Sequence, residues 1–180
     1  MEFGAANGRD LSNTFILERD YSWTGILAEP NPVWHSDLAR DRHAKIDHRC
    51  VHRSSGQRMN FAATRYPELA TLLDYLRAYG HAASRQEHDV IEVETVSLND
   101  LLASHDAPDL IDYISIDTEG SELEILEAFD FSRRDVRLFS IEHNGLARES
   151  SLDRLMADKG YERCYRGYSQ MDGWYRRRNA

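Results

Sequence analysis

The segment from Leu110 to Phe129 carries the clearest structural signature in the sequence. It reads LIDYISIDTEGSELEILEAF: an apolar run rich in isoleucine, an acidic turn with one glycine, and then apolar residues at helical spacing. This is the order of a buried strand, a tight turn and a helix. Similar alternations recur along the chain, and they predict an α/β fold with a mostly parallel sheet and helices on both faces.

Two strand-like pieces near the C-terminus depart from this alternation. Tyr161 to Tyr165 follows Gly160, which is expected to end a helix, and the second piece spans about Gly173 to Arg177. These two pieces are predicted to pair as an antiparallel edge of the sheet.

The composition favours one globular domain over residues 1–180. A net charge of −9 opposes nucleic-acid binding, because a phosphate footprint needs a basic face. No apolar run approaches the roughly 20 residues of a membrane helix, and the N-terminus lacks the regions of a secretion signal. We therefore expect a cytoplasmic protein with no membrane span and no nucleic-acid partner. Cys50 and Cys164 are interpreted as small core residues.

Two local patterns predict helices. Leucines between Pro67 and Gly80 keep helical spacing, with a proline near the start and a glycine at the end. Earlier in the chain, Leu11, Phe15 and Ile16 are expected to form the inward face of the first helix.

The turn FGAANG comes almost at the start of the chain. Gly4, Ala6 and Gly8 have minimal side chains, which would let the backbone approach a ligand closely. The third glycine of a dinucleotide fingerprint is absent, so a pyrophosphate ligand is disfavoured. Glu2, just before the turn, suits a cationic amine, and Glu29, at the end of the second strand, suits ribose hydroxyls.

Three segments, EFGAANGRDLSNT, WTGILAEPNP and IDYISIDTEGSELEIL, together resemble the FkbM family of S-adenosylmethionine-dependent methyltransferases. The acidic run DTEGSELEIL after an apolar strand is the most specific of them. The resemblance implies a class I methyltransferase fold, which is Rossmann-like and has a seven-stranded sheet with an antiparallel last strand. S-adenosylmethionine would lie across the strand ends as methyl donor. Family members carry several apolar residues before the first acid, whereas this chain has only Met1, so we expect a truncated first strand.

The resemblance also implies which residues bind the donor. The candidates share a place at or just after the ends of predicted strands: Glu2, Gly4, Ala5, Asn7, Gly8, Glu29, Asn31 and Ser54. Those from Glu2 to Gly8 would surround the methionine end, and Glu29 would hold the ribose. Asn31 and Ser54 would lie near the adenosine.

Two pairs of polar residues end neighbouring strands of the predicted sheet. Asp117 and Glu119 follow one strand, and Glu142 and His143 end the next. A parallel sheet would bring both pairs to the same edge. An alcohol acceptor is hard to deprotonate at neutral pH, so a base is expected there. His143 is the candidate base, with a neighbouring acid to fix its tautomer; a hydrogen-bonded or surface histidine is the alternative interpretation.

No residue is assigned as a metal ligand, but one alternative stays open. Asp117, Glu119 and Glu142 offer only oxygen ligands, which suit Mg²⁺ or Ca²⁺. Such an ion would lower the pKa of an acceptor hydroxyl. A divalent cation, Mg²⁺ above all, is thus the less favoured cofactor beside S-adenosylmethionine.

The predicted function is that of an S-adenosylmethionine-dependent O-methyltransferase. The family resemblance implies an acceptor hydroxyl on a sugar or other alcohol, in a glycan or glycosylated metabolite, so the expected partner is a small-molecule or glycan acceptor. A catalytically inactive donor- or glycan-binding module of the same fold is the main alternative. A nicotinamide-dependent reductase is disfavoured by the missing third glycine.

Overall fold

The computed structural model describes residues 1–78, 81–144, 146–169 and 171–178, and it has an α/β fold, as predicted. In chain order the strands are β1 (Glu2–Phe3), β2 (Ile26–Ala28), β3 (Lys45–Asp47), β4 (Cys50–His52), β5 (Arg58–Thr64), β6 (Thr71–Leu72), β7 (His88–Ser97), β8 (Leu110–Ile116), β9 (Asp135–Glu142), β10 (Tyr161–Cys164) and β11 (Asp172–Arg177). The helices are α1 (Phe15–Tyr21), α2 (His35–Asp41), α3 (Leu98–Ser104), α4 (Glu122–Ala128) and α5 (Leu146–Asp158).

The larger sheet has seven strands in the order β3-β2-β1-β8-β9-β11-β10. The strands from β3 to β9 in this order run parallel, and β11 pairs antiparallel with both β9 and β10. β1 is short but central: Phe3 lies opposite Ala28 on one side and Ile116 on the other. The carboxyl ends of four neighbouring strands therefore open onto one edge of the sheet.

The smaller sheet has four strands in the order β4-β7-β5-β6. β4 runs parallel to β7, whereas β5 is antiparallel to both β7 and β6. Its apolar residues form a separate cluster around Cys50, Phe61, Leu72 and Val93. The connections of this sheet lie beside the carboxyl edge of the larger sheet and supply one side of the cavity described below.

Most of the core lies on the larger sheet. Ile114, Val136 and Phe139 are fully buried there, together with Leu126 of α4 and Met156 of α5. The consecutive buried residues in the second halves of β8 and β9 are typical of parallel strands that are covered on both faces of a sheet. Among the described residues, no helix is both long and apolar enough to cross a membrane.

The predicted helix from Pro67 to Gly80 is wrong. Residues 67–69 form one short 3₁₀ turn and residues 73–75 another, and β6 lies between them; Tyr79 and Gly80 lie outside the described residues. Leu72 is buried because it pairs with Phe61 across the smaller sheet. Pairing with β5 thus overrides a leucine spacing that suits a helix.

The predicted inward face of the first helix is also wrong. Leu11 is 85% exposed and Ile16 is 55% exposed, and α1 contains no buried residue. The helix is fixed at its ends instead. At its C-terminal end, Ser22 adopts the left-handed conformation and the Trp23 amide donates to the Leu17 carbonyl oxygen.

Cys50 is buried on β4, and Cys164 is half-buried on β10. Both carry free thiols. Their interpretation as packing residues therefore fits their positions, fully for Cys50 and in part for Cys164.

Candidate functional site

A cavity of about 370 Å³ opens at the carboxyl ends of β1, β2, β8 and β9. Gly4, Glu29, Asp117 and Glu142 line it, one from the end of each of these strands. Ligands of α/β sheets bind at this edge, and ligand cavities have volumes of roughly 300–1,000 Å³. A larger space of about 510 Å³ lies at the opposite edge, where β2, β3 and β8 begin, but none of the sequence-predicted site residues lines it.

Gly4 lets the first turn cross directly over the end of β8. Its φ is +74°, and a Cβ at this position would lie 1.5 Å from the carbonyl oxygen of Asp117. Its amide donates to the carbonyl oxygen of Ala28 at 3.1 Å. Only glycine fits such a contact, so this residue sets how closely the turn and the acids of β8 approach each other.

Glu29 lines the cavity and fastens the first turn to the end of β2. One carboxylate oxygen accepts a hydrogen bond from the Ala6 amide at 2.9 Å, and the other accepts one from the Asn31 amide at 2.8 Å. A carboxylate has about four acceptor positions, so capacity remains for hydroxyl donors of a ligand. Burial raises the pKa of Glu29 to about 7, although the two amide donors act in the opposite direction.

Glu2 does not lie where the sequence reasoning expected it. Its carboxylate is not part of the cavity lining. The hydroxyls of Ser12 and Thr14 donate to one oxygen at 2.7 and 2.6 Å, and the Asn13 amide donates to the other at 2.7 Å. The Arg42 guanidinium lies 3.7 Å away. Because these groups occupy both oxygens, Glu2 anchors residues 12–14 and is not positioned to meet a ligand amine.

The remaining candidates for donor binding also lie outside the cavity lining: Ala5, Asn7, Gly8, Asn31 and Ser54. Ala5 and Gly8 pack against Leu38. The side-chain oxygens of Asn7 and Asn31 accept hydrogen bonds from backbone amides of their own turns. Ser54 follows β4, and its hydroxyl has no partner among the described residues. These residues shape the turns around the cavity without facing it.

Asp117, Glu119 and Glu142 form an acidic cluster on the cavity. Each offers a carboxylate oxygen, and the three oxygens lie within 4.8 Å of one another. Asp117 and Glu142 are hydrogen-bonded to each other, and Oε2 of Glu142 is buried without a partner among the described residues. Glu119 has a left-handed backbone with φ of 59° and pairs with Nη2 of Arg85 at 2.5 Å. The structure therefore brings three of the predicted catalytic residues together.

The three carboxyls of the acidic cluster have raised pKa values. Burial raises the pKa of Asp117 and of Glu142, and the charges of Asp117 and Glu119 raise that of Glu142 further. Each of these two carboxyls therefore binds a proton more readily than an ordinary carboxylic acid, and their proximity opposes the ionisation of both. Burial raises the pKa of Glu119 to about 7, against the lowering effect of the Arg85 guanidinium.

His143 lies outside the cavity lining and is 4% exposed. Its Nε2 lies 3.4 Å from Nη2 of Arg163, and its backbone amide donates to the Met171 carbonyl oxygen at 2.8 Å. Nδ1 is buried without a partner among the described residues. The imidazole thus lies beside Arg163 of β10 and does not face the cavity.

The sequence reasoning considered residues 67–79 as part of a lid or acceptor pocket but favoured plain core packing, and it assigned no site residue to this side of the cavity. Residues 67–70, Leu72 and His81 line it, and so does Asn144, whose polar side-chain atoms are buried without partners in the described part of the chain. Asn144 follows the end of β9, a position that could have been noticed from the sequence. The leucine spacing near Leu72 was interpreted as the packed face of a helix, which was preferred over a pocket.

The acidic cluster also offers ligands for a hard cation. Its donors are all carboxylate oxygens, the type that Mg²⁺ and Ca²⁺ prefer. Arg85 already pairs with Glu119, however, and a cation would have to compete with protons at Asp117 and Glu142, whose pKa values are raised. The cluster therefore fits a cation in donor type but opposes it in its present charge state.

The comparisons with known proteins bear on this geometry. No match was found for the chain among curated proteins or among solved structures. The sequence does match a family described as methyltransferase FkbM domain, over residues 2–163 of the 180. The matched stretch contains the first turn, Glu29 and the whole acidic cluster. The chain therefore belongs to the FkbM methyltransferase family.

Proposed function

We propose that the protein is an S-adenosylmethionine-dependent O-methyltransferase that acts on a sugar or other alcohol hydroxyl. One observation carries the proposal: the first turn, Glu29 and the acidic cluster line a single cavity at the carboxyl edge of the sheet. Methyl transfer needs a site for the donor and a group that takes the acceptor proton, and the residues that line this cavity include candidates for both roles. Membership of the FkbM family supports methyl transfer as the reaction class.

The fold supports the same proposal. The order β3-β2-β1-β8-β9-β11-β10, with β11 antiparallel to its neighbours, agrees with a class I methyltransferase arrangement for the larger sheet. The cavity lies where the order of strands along the chain reverses, at β1 and β8. Such switch points are the usual ligand sites of open α/β sheets.

The donor half of the cavity centres on Glu29. Its remaining acceptor positions suit the two ribose hydroxyls of the donor. Gly4 and Ala6 allow backbone contact with the adenosyl and methionine parts of the donor. Glu2 contributes indirectly, because its carboxylate anchors residues 12–14. When bound, S-adenosylmethionine supplies a methyl group already activated on a sulfonium centre.

The reacting half of the cavity centres on Asp117 and Glu142. In methyl transfer the acceptor oxygen forms a bond to the methyl carbon, the carbon–sulfur bond breaks with its electrons remaining on sulfur, and the hydroxyl proton must leave. We assign that proton to the Asp117–Glu142 pair, because it lines the cavity and its raised pKa lets it hold a proton near neutral pH. His143 is less suited to this role because its imidazole lies outside the lining.

The direct test of donor binding is calorimetric titration with S-adenosylhomocysteine. We expect wild-type protein to bind, and Glu29→Gln to weaken binding by roughly 10- to 100-fold because hydrogen bonds to a charged carboxylate are lost. Glu92→Gln is the matched control, since Glu92 is an exposed acid on β7 paired with Arg58, and its affinity should equal that of wild type. A folded wild-type protein that does not bind would contradict the proposal.

The inactive-module alternative needs a second assay. Donor binding by wild type, with methyl transfer to a panel of sugars and other alcohols, supports an enzyme. Donor binding with no transfer to any acceptor, and with no loss of affinity in Asp117→Asn, would favour a binding module of the same fold.

A further inference from the structure

One side of the cavity is formed by a segment without long helices or strands. We call residues 67–78 and 81–85 the wall segment. It follows β5 and precedes β7, and it contributes residues 67–70, Leu72 and His81 to the cavity lining. Much of its backbone is in 3₁₀ turns, which supply few hydrogen bonds, so tertiary contacts must hold it in place.

Arg85 supplies the most extensive of these contacts. It has 0% exposure, which is rare for an arginine. Its Nε donates to the Leu69 carbonyl oxygen and its Nη1 to the Ala78 carbonyl oxygen, both at 2.9 Å. Its Nη2 donates to Oε2 of Glu119 at 2.5 Å. One buried guanidinium thus joins both ends of residues 69–78 to a member of the acidic cluster.

Two further contacts join the wall segment to the same turn. The Thr71 hydroxyl donates to the carbonyl oxygen of Glu119 at 3.0 Å. Gly120, with φ of 142°, lies against Tyr75, and a Cβ at Gly120 would lie 2.7 Å from the Cβ of Tyr75 and 2.9 Å from its ring atom Cγ. The turn after β8 is therefore shaped to receive the wall segment, and its position depends on the wall.

We propose that Arg85 is a positioning residue for the acceptor side of the cavity. By binding Glu119 and the backbone of the wall segment together, it fixes the surface against which an acceptor alcohol lies and reserves Asp117 and Glu142 for the reaction. The role of Arg85 toward an acceptor rests on the proposed function. The bond network itself is independent of any ligand.

Two consequences follow from the contacts. Glu119 is neutralised by Arg85, so the charge that faces the cavity is that of the Asp117–Glu142 pair. The backbone amide of Arg85 also donates to the His81 carbonyl oxygen at 3.1 Å, so the position of Arg85 is linked to that of the histidine that lines the cavity. In the described part of the chain, the side chain of Arg85 forms no hydrogen bond or ion pair with Gly4 or Glu29, so the donor half around these two residues should keep its geometry.

The test uses the variants Arg85→Met, Arg85→Lys and Glu119→Gln of the full chain. Arg65→Met is the matched control, because Arg65 pairs with Glu87 on the same stretch of chain but is 68% exposed. Amide hydrogen exchange measures how firmly the wall segment is held, and titration with S-adenosylhomocysteine measures the affinity of the donor half. Carboxyl ¹³C NMR follows the titration of Glu119.

In Arg85→Met we expect exchange of residues 67–78 to accelerate roughly tenfold or more, because a buried charge loses its partner. Arg85→Lys should give a smaller acceleration, and Arg65→Met none. S-adenosylhomocysteine affinity should stay within about threefold of wild type. The titration of Glu119 should move to higher pH in Arg85→Met alone, an effect that simple bracing of a loop would not produce.

Unchanged exchange in Arg85→Met would overturn the proposal. So would a loss of S-adenosylhomocysteine affinity as large as that of Glu29→Gln, since the wall would then belong to the donor half. If Arg85→Met does not fold, Glu119→Gln is the deciding variant, because it keeps the hydrogen bonds from the Arg85 side chain to the carbonyl oxygens of Leu69 and Ala78. Faster exchange of residues 69–71 in this variant would support the connection between Glu119 and the wall segment. Exchange at the wild-type rate would refute it. Failure of wild type to bind S-adenosylhomocysteine would refute the proposed function and leave the exchange result standing.

Discussion

Glu2 and Glu142 both carry buried carboxylate oxygens on parallel strands of one sheet, but their surroundings are opposite. Ser12, Asn13 and Thr14 donate hydrogen bonds to Glu2, with Arg42 nearby. Glu142 has one oxygen without a partner among the described residues and other acids close by. The chain thus satisfies one carboxylate completely and leaves the other short of donors. A carboxylate of the first kind holds the fold, and one of the second kind is available to a ligand or a proton.

The largest expected effect is the loss of stability in Glu2→Gln. The amide cannot accept hydrogen bonds on both of its polar atoms, and Arg42 loses a buried charge partner, so unfolding should become easier by about 2–4 kcal/mol. Chemical denaturation measures the free energy of unfolding. Glu162→Gln is the control, because this acid pairs with Arg176 at the surface and should cost no more than about 0.5 kcal/mol. Equal losses in the two variants would break the comparison.

Glu142→Gln should increase the free energy of unfolding, unlike Glu2→Gln, by an amount that depends on pH. The pKa of Glu142 is raised above its ordinary value by burial and by neighbouring acids. The native protein therefore binds more protons than the unfolded chain above the ordinary glutamate pKa, and this acid lowers the free energy of unfolding as pH rises.

For Glu142→Gln we accordingly expect a gain of about 1–2 kcal/mol in the free energy of unfolding near pH 8, shrinking to less than about 0.5 kcal/mol near pH 5. Denaturation curves at the two pH values measure it. The exposed acid Glu92 again provides the control, since Glu92→Gln should show no such difference between pH values. A destabilised Glu142→Gln at pH 8 would show that the acid is structural, like Glu2.

The smallest expected effect is that of magnesium. Because Arg85 pairs with Glu119, and the raised pKa values of Asp117 and Glu142 favour a proton over a cation, about 10 mM Mg²⁺ should raise the melting temperature by less than about 2 °C. Thermal unfolding with and without the ion measures this. A larger increase that disappears in Glu142→Gln would identify the acidic cluster as a metal centre and sharpen its contrast with Glu2.

Sequence reasoning succeeded where local pattern and topology agree. Asp117 and Glu142 follow apolar strands, and parallel strands bring their carboxyl ends to one edge, so the meeting of these acids could be expected from order alone. Glu29 was found in the same way, as an acid at the end of a strand beside the first turn.

The errors arose where long-range contacts decide. Nothing near Glu2 in the sequence shows that Ser12, Asn13 and Thr14 will fold back onto its carboxylate. Arg85 gave no signal because an arginine in a polar loop is usually exposed, and its burial depends on carbonyl groups and an acid distant along the chain. The leucines around Leu72 fit a helical spacing, but Leu72 pairs with β5 of the smaller sheet, and Leu69 and Leu73 lie in 3₁₀ turns on either side of it.

The most direct measurement for the central claim is a crystal structure of the protein with S-adenosylhomocysteine. The account predicts the ligand in the cavity at the carboxyl edge, with its ribose hydroxyls hydrogen-bonded to Glu29 and its sulfur on the side of Asp117 and Glu142. A ligand in the larger space where β2, β3 and β8 begin, or one that makes no contact with Glu29, would contradict it.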